Sequence, residues 1–313
     1  MTDKINILLA NPRGFCAGVD RAIRIVEEAL AQYGKPIYVK HEVVHNQYVI
    51  NDLKTKGAVF IEDLNDIPKG AHIIFSAHGI SKAIREEAKS RKLIPIDATC
   101  PLVTKVHVEV NKMLSQGMDI IMIGHQGHPE VEGTMGQIEQ HQTHRKMYLI
   151  ETIEDIKHLI IDHPNKVAYV TQTTLSVDDT KIIIEALKTK YPNIQGPKSD
   201  DICYATQNRQ DAVKVMSSQC DLIIIVGSEN SSNSNRLKEI ASKDGVKAYM
   251  IDHEDALQSS WLVNKKNIGI SAGASAPEIS VKNIINKIAS LTKANITELP
   301  GIEESIIFRL PKI

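Results

Sequence analysis

Cys100-Pro101-Leu102-Val103-Thr104-Lys105-Val106-His107-Val108-Glu109-Val110-Asn111-Lys112-Met113-Leu114 leads, through a short turn, to Asp119-Ile120-Ile121-Met122-Ile123 and then to Gly124-His125-Gln126-Gly127-His128. Val103, Val106, Val110, Met113 and Leu114 recur at helical spacing, and Pro101 suits the first position of a helix. Residues 120–123 are continuously apolar, as in a strand of a parallel sheet covered on both faces. Cysteine, helix, strand and polar loop thus follow one another. The same order recurs at Cys16, where Ala22, Ile23, Val26, Ala29 and Leu30 form the stripe, and at Cys203. In all three copies a strand ends twenty-three residues after the cysteine, at Val39, Ile123 and Val226.

Each of those strand ends opens into polar chemistry: Glu42-Val43-Val44-His45, Gly124 to His128, and Gly227-Ser228-Glu229-Asn230-Ser231-Ser232-Asn233. A further strand then ends in a second polar loop: Ser76-Ala77-His78-Gly79, Thr171-Gln172-Thr173-Thr174, and Ser271-Ala272-Gly273-Ala274-Ser275. The pattern predicts a threefold α/β repeat, with buried strands at 5–10, 37–39, 73–76, 120–123, 168–171, 222–226 and 268–271. The expected units are 1–99, 100–200 and 201–291, with the tail 292–313 packing back on the first. Ligands gather at the carboxyl ends of strands in open parallel sheets. If the three units face one axis, three cysteines and six polar loops meet in one cavity.

Composition narrows the function. The 313 residues carry 37 Lys+Arg and 38 Asp+Glu, a net charge of −1, without the basic excess of a protein that coats nucleic acid. Aromatics at 4% leave few platforms for stacking single strands. A hydrophobic share of 42% excludes a disordered or collagen-like chain. No apolar run approaches the ~18 residues of a membrane span, and the N-terminal apolar stretch is too short for a signal-peptide core. The expectation is a cytoplasmic protein with no membrane and no nucleic-acid partner. The four cysteines form no CxxC pair, and a reducing compartment argues against disulfides.

Three thiolates with an open position suit zinc plus water, or an iron–sulfur cluster with one iron not bound by protein. A helix N-terminus favours the thiolate. The same cysteines could equally be buried core residues. Cys220 leads into a strand and reads as core. His45, His78, His128, Thr173, Ser231, Ser232, Asn233 and Ser275 are compact donors suited to a phosphate or diphosphate. Taken singly, each is also compatible with a structural histidine, a turn or a helix cap. A carboxyl facing a closed cavity can carry a proton, and Glu130 and Glu132 compete for that role on spacing alone. His141-Gln142-Thr143-His144, flanked by Gln140 and Arg145-Lys146, reads as an exposed loop rather than a metal pair. There is no GxGxxG after a strand and no Walker A motif, so electrons for a redox reaction would come from another protein.

Beyond these readings, Asn11-Pro12-Arg13-Gly14-Phe15-Cys16-Ala17-Gly18-Val19, Val43-Val44-His45-Asn46, Ser76-Ala77-His78-Gly79, Asp97-Ala98-Thr99-Cys100-Pro101, Gly127-His128-Pro129-Glu130-Val131-Glu132-Gly133, Thr171-Gln172-Thr173-Thr174-Leu175-Ser176, Asp201-Ile202-Cys203-Tyr204-Ala205-Thr206 and Ser231-Ser232-Asn233-Ser234-Asn235-Arg236 closely resemble the 4-hydroxy-3-methylbut-2-enyl diphosphate reductases. The resemblance spans nearly the whole chain and is weakest at 140–146. It implies a trefoil of three parallel-sheet α/β domains around one [4Fe–4S] cluster per chain, held by Cys16, Cys100 and Cys203. It implies substrate binding by His45, His78, His128, Thr173, Ser231, Ser232, Asn233 and Ser275. It selects Glu130, not Glu132, as proton donor, with Thr173 and His128 as further catalytic residues. The implied reaction is reductive dehydroxylation of the allylic diphosphate to isopentenyl and dimethylallyl diphosphate, with a ferredoxin or flavodoxin as electron donor. The competing readings are a zinc-dependent hydrolase of a phosphorylated substrate using the same cysteines, and a non-catalytic phosphate-binding module.

Overall fold

The expected repeat is present in the structure, a computed structural model that describes residues 4–138 and 144–313. Of the quartet at His141, only His144 falls among them. Strand β1 (Ile5–Leu9) precedes Cys16. Then α1 (Ala17–Tyr33), β2 (Ile37–Lys40), α2 (Gln47–Lys56), β3 (Ala58–Ile61), β4 (His72–Phe75), α3 (Lys82–Ser90) and β5 (Ile94–Asp97) bring the chain to Cys100. Next, α4 (Pro101–Ser115), β6 (Asp119–Ile123), α5 (Pro129–Met135), β7 (Met147–Ile150), α6 (Ile153–His158), β8 (Val167–Thr171) and α7 (Val177–Lys190) bring it to Cys203. Finally come α8 (Tyr204–Ser217), β9 (Leu222–Val226), α9 (Ser232–Lys243), β10 (Ala248–Ile251), β11 (Asn267–Ala272), α10 (Glu278–Leu291) and β12 (Ala294–Glu298).

The protein is α/β, and among the described residues the strands form three parallel sheets ordered β10-β9-β11-β1-β12, β3-β2-β4-β5 and β7-β6-β8. All seven expected strands are there, each end within one residue. Two of them, β6 and β9, are buried along their whole length, as their unbroken apolar runs require. The strands that sequence reading missed, β3, β5, β7, β10 and β12, all lie at sheet edges. There one side meets solvent, so each is only partly buried: β3, β7 and β10 are four-residue apolar runs, β5 is interrupted by Pro95, and β12 is mostly exposed. Pro95 sits in edge strand β5, where a missing N–H costs little.

One boundary needs correcting. Residues 5–9 were expected in the unit 1–99, yet β1 lies between β11 and β12, with Ile7 beside Ile268 and Ile296. The reason is a rule common to all three repeats: the segment before a cysteine pairs with the sheet of the preceding repeat. β5, before Cys100, pairs with β4; Gln195, before Cys203, bridges to Ala168 of β8; β1, before Cys16, pairs with β11. Ile5, Ile7 and Leu9 accordingly share a core with Leu222, Ile224, Val226, Ile268 and Ile270. The tail pairs with β1 through β12.

The described residues fall into two compact units. One combines those up to Asp20 with His45–Asp52 and Tyr204–Ile307, and carries the five-stranded sheet. The other combines Arg21–Val44, the described part of Leu53–Cys203, and Phe308–Ile313, and carries the four- and three-stranded sheets. Among the described residues no helix is long and apolar enough to cross a membrane.

Candidate active site

Cys16, Cys100 and Cys203 each stand directly before a helix, at α1, α4 and α8. Their amides make equivalent hydrogen bonds: Cys16 N to Ala274 O at 3.2 Å, Cys100 N to Ala77 O at 2.9 Å, and Cys203 N to Thr173 O at 3.0 Å. Every acceptor lies in a second polar loop, the one that ends β11, β4 or β8. Each thiol is therefore fastened, through its own backbone, to a loop carrying predicted substrate residues. The cysteines are thiols, half-buried, with none in a disulfide. Cys220 differs: it packs beside the core around Met216 and Val213, and burial pushes its thiol up to about 12, away from the ligand form. Among the described residues no three His, Cys, Asp or Glu side chains are gathered closely enough for a single metal ion.

The unit that contains Cys100 and Cys203 also holds the acid–base residues. Helix α5 opens with His128 as its cap: His128 Nδ1 accepts from Glu130 N at 3.1 Å, so the neutral ring carries its proton on Nε2. Glu130 is 3% exposed. Its two carboxylate oxygens accept from Thr173 N at 2.6 Å and Thr173 Oγ1 at 2.9 Å. Burial pushes Glu130 up to about 7, outweighing those two hydrogen bonds, and the charge of Asp201 adds to the rise. Such a carboxyl can give or take a proton near neutrality. Glu132, two residues on, is exposed.

His78 lies in the same unit. Its Nδ1 is 3.3 Å from Ser76 Oγ, and its ring meets that of His128 edge to face at 5.7 Å between centroids. The turn after it is tight: Gly79 has φ +78°, and a Cβ there would stand 2.7 Å from His107 Cε1. Only glycine fits. Burial pushes His107 down to about 4, so it packs there as a neutral ring.

The other unit holds Cys16 with the remaining predicted binders. Asn233 Oδ1 accepts from Ala274 N at 2.9 Å, in the residue pair that also receives Cys16. Ser275 Oγ donates to His45 O at 2.8 Å, tying two predicted residues together. Ser231 caps α9, accepting from Ser234 N at 3.3 Å and Ser234 Oγ at 3.0 Å, and Ser232 is the first residue of that helix. A twelve-residue helix beginning in this loop offers backbone N–H groups and a positive dipole end to an anion. Ser234 fills the space beside Gly227 and Gly273, where a Cβ would come within 2.2 and 2.0 Å of its Oγ.

Sequence reading missed several supporting residues. Buried Gln172 accepts from His125 N and donates to Thr174 Oγ1. Asp201 accepts from Thr171 N at 3.0 Å and from Lys105 Nζ at 3.3 Å, and burial pushes it up to about 7. Thr206 lies 3.5 Å from Asn233 Nδ2. Gln172, Asp201 and Thr206 stand inside the quoted motifs, which was their only sequence signal.

Residues 7–289 match the family described as LytB protein. The chain is 60% identical to a 4-hydroxy-3-methylbut-2-enyl diphosphate reductase of Nitrosomonas europaea, over 98% of this chain and 97% of that one. It is 60% identical to 4-hydroxy-3-methylbut-2-enyl diphosphate reductase 2 of Burkholderia mallei, over 98% and 92%. Among solved structures, the E-1-hydroxy-2-methyl-but-2-enyl-4-diphosphate reductase of Plasmodium falciparum superposes with a TM-score of 0.92 at 42% identity, over 99% of this chain and 96% of that one.

Proposed function

The chain belongs to the LytB protein family, and on that premise we propose that it reduces (E)-4-hydroxy-3-methylbut-2-enyl diphosphate to isopentenyl and dimethylallyl diphosphate, the last step of the methylerythritol phosphate route. The family is one of iron–sulfur enzymes, and its relatives favour this reading over a zinc hydrolase or a phosphate-binding module. The donor set suits such a group: three half-buried soft thiols at helix N-termini, each with its amide already bonded. We assign Cys16, Cys100 and Cys203 as ligands of one [4Fe–4S] cluster. When bound, it supplies single-electron reduction and one iron open to an oxygen ligand.

The chain's own residues do the rest. His45, His78, His128, Thr173, Ser231, Ser232, Asn233 and Ser275 hold and orient the diphosphate, and the N-terminus of α9 adds its dipole. Overall the reaction consumes two electrons and two protons: the C–O bond breaks, the hydroxyl leaves as water, and a C–H bond forms at either end of the allyl group. Glu130 holds a proton for this near pH 7, at an oxygen bonded to Thr173. With no dinucleotide fingerprint in the sequence, a ferredoxin or flavodoxin is assigned as the donor. A reducing cytoplasm suits reduced thiols.

One observation carries the reading. Thr173 binds the carboxyl of Glu130 with its N–H and hydroxyl, and accepts the Cys203 amide with its carbonyl. A proton store and a redox-ligand loop thus meet on one residue. Protein purified without oxygen should be brown, hold about four iron and four sulfide per chain, and convert the allylic diphosphate with a chemical reductant. Colourless, zinc-bearing protein that only hydrolyses phosphate esters would defeat the proposal.

A further inference from the structure

Three cations stand at matching distances after the three cysteines: Arg21, Lys105 and Arg209, five, five and six residues on, in α1, α4 and α8. None of them bonds the loop of its own cysteine. Arg21 Nη1 donates to Ala98 O at 3.3 Å and Thr99 O at 3.1 Å, just before Cys100. Lys105 Nζ donates to Ser199 O at 2.7 Å, Asp200 O at 2.9 Å and Asp201 Oδ1 at 3.3 Å, just before Cys203. Arg209 donates through Nε to Gly14 O at 3.0 Å, and through Nη2 to Gly14 O at 2.8 Å and Phe15 O at 3.2 Å, just before Cys16. The helix after each cysteine therefore reaches the loop before the next, and the third returns to the first.

We infer that Arg21, Lys105 and Arg209 are positioning residues, each fixing the loop of the next cysteine in a cyclic order. This rests on the reading of those cysteines as cluster ligands. The chemistry fits. Carbonyls just ahead of a helix lie outside its own hydrogen-bond ladder and need a donor when buried, as in Gly14, Ala98 and Thr99; Ser199 and Asp200 are exposed, and there Lys105 also holds buried Asp201. A cation supplies several donors at once, and so holds the loop ahead of the cysteine in one arrangement. Arg209 is the most committed of the three. It is fully buried, also donates to Ala205 O in α8, and is balanced by Glu304, whose two oxygens lie 2.9 and 3.1 Å from its Nη1 and Nη2. Arg21 also donates to Arg309 O at 2.9 Å. Two of the three clamps thus take a partner from the C-terminal tail.

The cyclic order makes a distinctive test. Metal-free wild type, Arg21→Met, Lys105→Met and Arg209→Met are treated with N-ethylmaleimide, and the rate at each cysteine is read by peptide mass spectrometry. The cysteine that reacts faster should be the next one in each case: Cys100, Cys203 and Cys16 respectively. Cys220 should not change. After reconstitution, the variants should release iron to a chelator faster, roughly 10-fold or more, the usual scale for lost outer-shell support. Arg209→Met leaves Glu304 without its cation; if it fails to fold, the two variants at half-buried positions decide the matter. Unchanged labelling at the next cysteine, a rise confined to the variant's own cysteine, or a uniform rise that includes Cys220 would overturn the inference. Wild type that takes up no iron or sulfide would defeat the cluster reading instead, while labelling of metal-free protein still tests the clamps.

Discussion

Glu130→Gln isolates the electrostatics of the buried carboxyl. The amide keeps the shape, its oxygen can still accept from Thr173 N, and the Thr173 hydroxyl can turn to accept from the new NH2 group. Both bonds that Glu130 makes, at 2.6 and 2.9 Å, survive. Only the titration is lost. Burial raises the Glu130 pKa from 4.5 to about 7. At 1.36 kcal/mol per pKa unit, the whole effect is about 3 kcal/mol. Because the folded pKa lies above the unfolded one, the contribution is fully present below about pH 4.5, is lost as the pH rises through about 7, and is flat beyond. The interval from pH 5 to 8 captures about 2 kcal/mol of it. The Gln variant should therefore gain on wild type by that amount across the interval, roughly 3 °C in Tm for a chain of this size. Calorimetry of the two metal-free proteins at pH 5, 6, 7 and 8 reads the difference; titrating groups that do not feel Glu130 cancel, while Asp201, whose charge acts on Glu130, shifts with it and belongs to the same difference. A difference that stays constant with pH would mean Glu130 ionises in the folded protein as it does in water, and the argument for a stored proton would lose its basis.

In turnover assays with a chemical reductant, Glu130→Gln should fall roughly 10²-fold or more while keeping its iron, and exposed Glu132→Gln should stay near wild type; the reverse pair of results would reassign the proton path. Replacing Cys16, Cys100 or Cys203 by Ser should abolish cluster content, measured as iron and sulfide, whereas Cys220→Ser should retain it. NADPH alone should support no turnover, and NADPH with a flavodoxin or ferredoxin and its reductase should; brisk oxidation of NADPH by the purified protein and substrate would reveal a missed cofactor site.

The repeat was legible in the sequence because buried parallel strands write themselves as unbroken apolar runs. Ile120 to Ile123 and Leu222 to Val226 have no polar alternative inside a sheet covered on both faces. The cysteines, the polar loops and the twenty-three-residue interval follow from the same regularity. Edge strands such as Ala58–Ile61 and Ala248–Ile251 were not legible, since a four-residue apolar run has no period to tell a strand from a helix segment and no cysteine interval marks these two. The residue types available for chemistry were also plain, including two rival carboxylates two positions apart.

Tertiary structure decided the rest, because it depends on partners distant in sequence. Spacing alone did not choose between Glu130 and Glu132; burial against Thr173, forty-three residues away, separates a carboxyl near pKa 7 from a solvated one. Nothing local in Ile5–Leu9 says whose sheet it joins. Its place beside β11, more than 250 residues on, follows from the way each cysteine-leading segment pairs backward by one repeat. The three cations were visible as residues, but their role is a relation between each helix and the loop before the next cysteine, and only the folded chain brings those together.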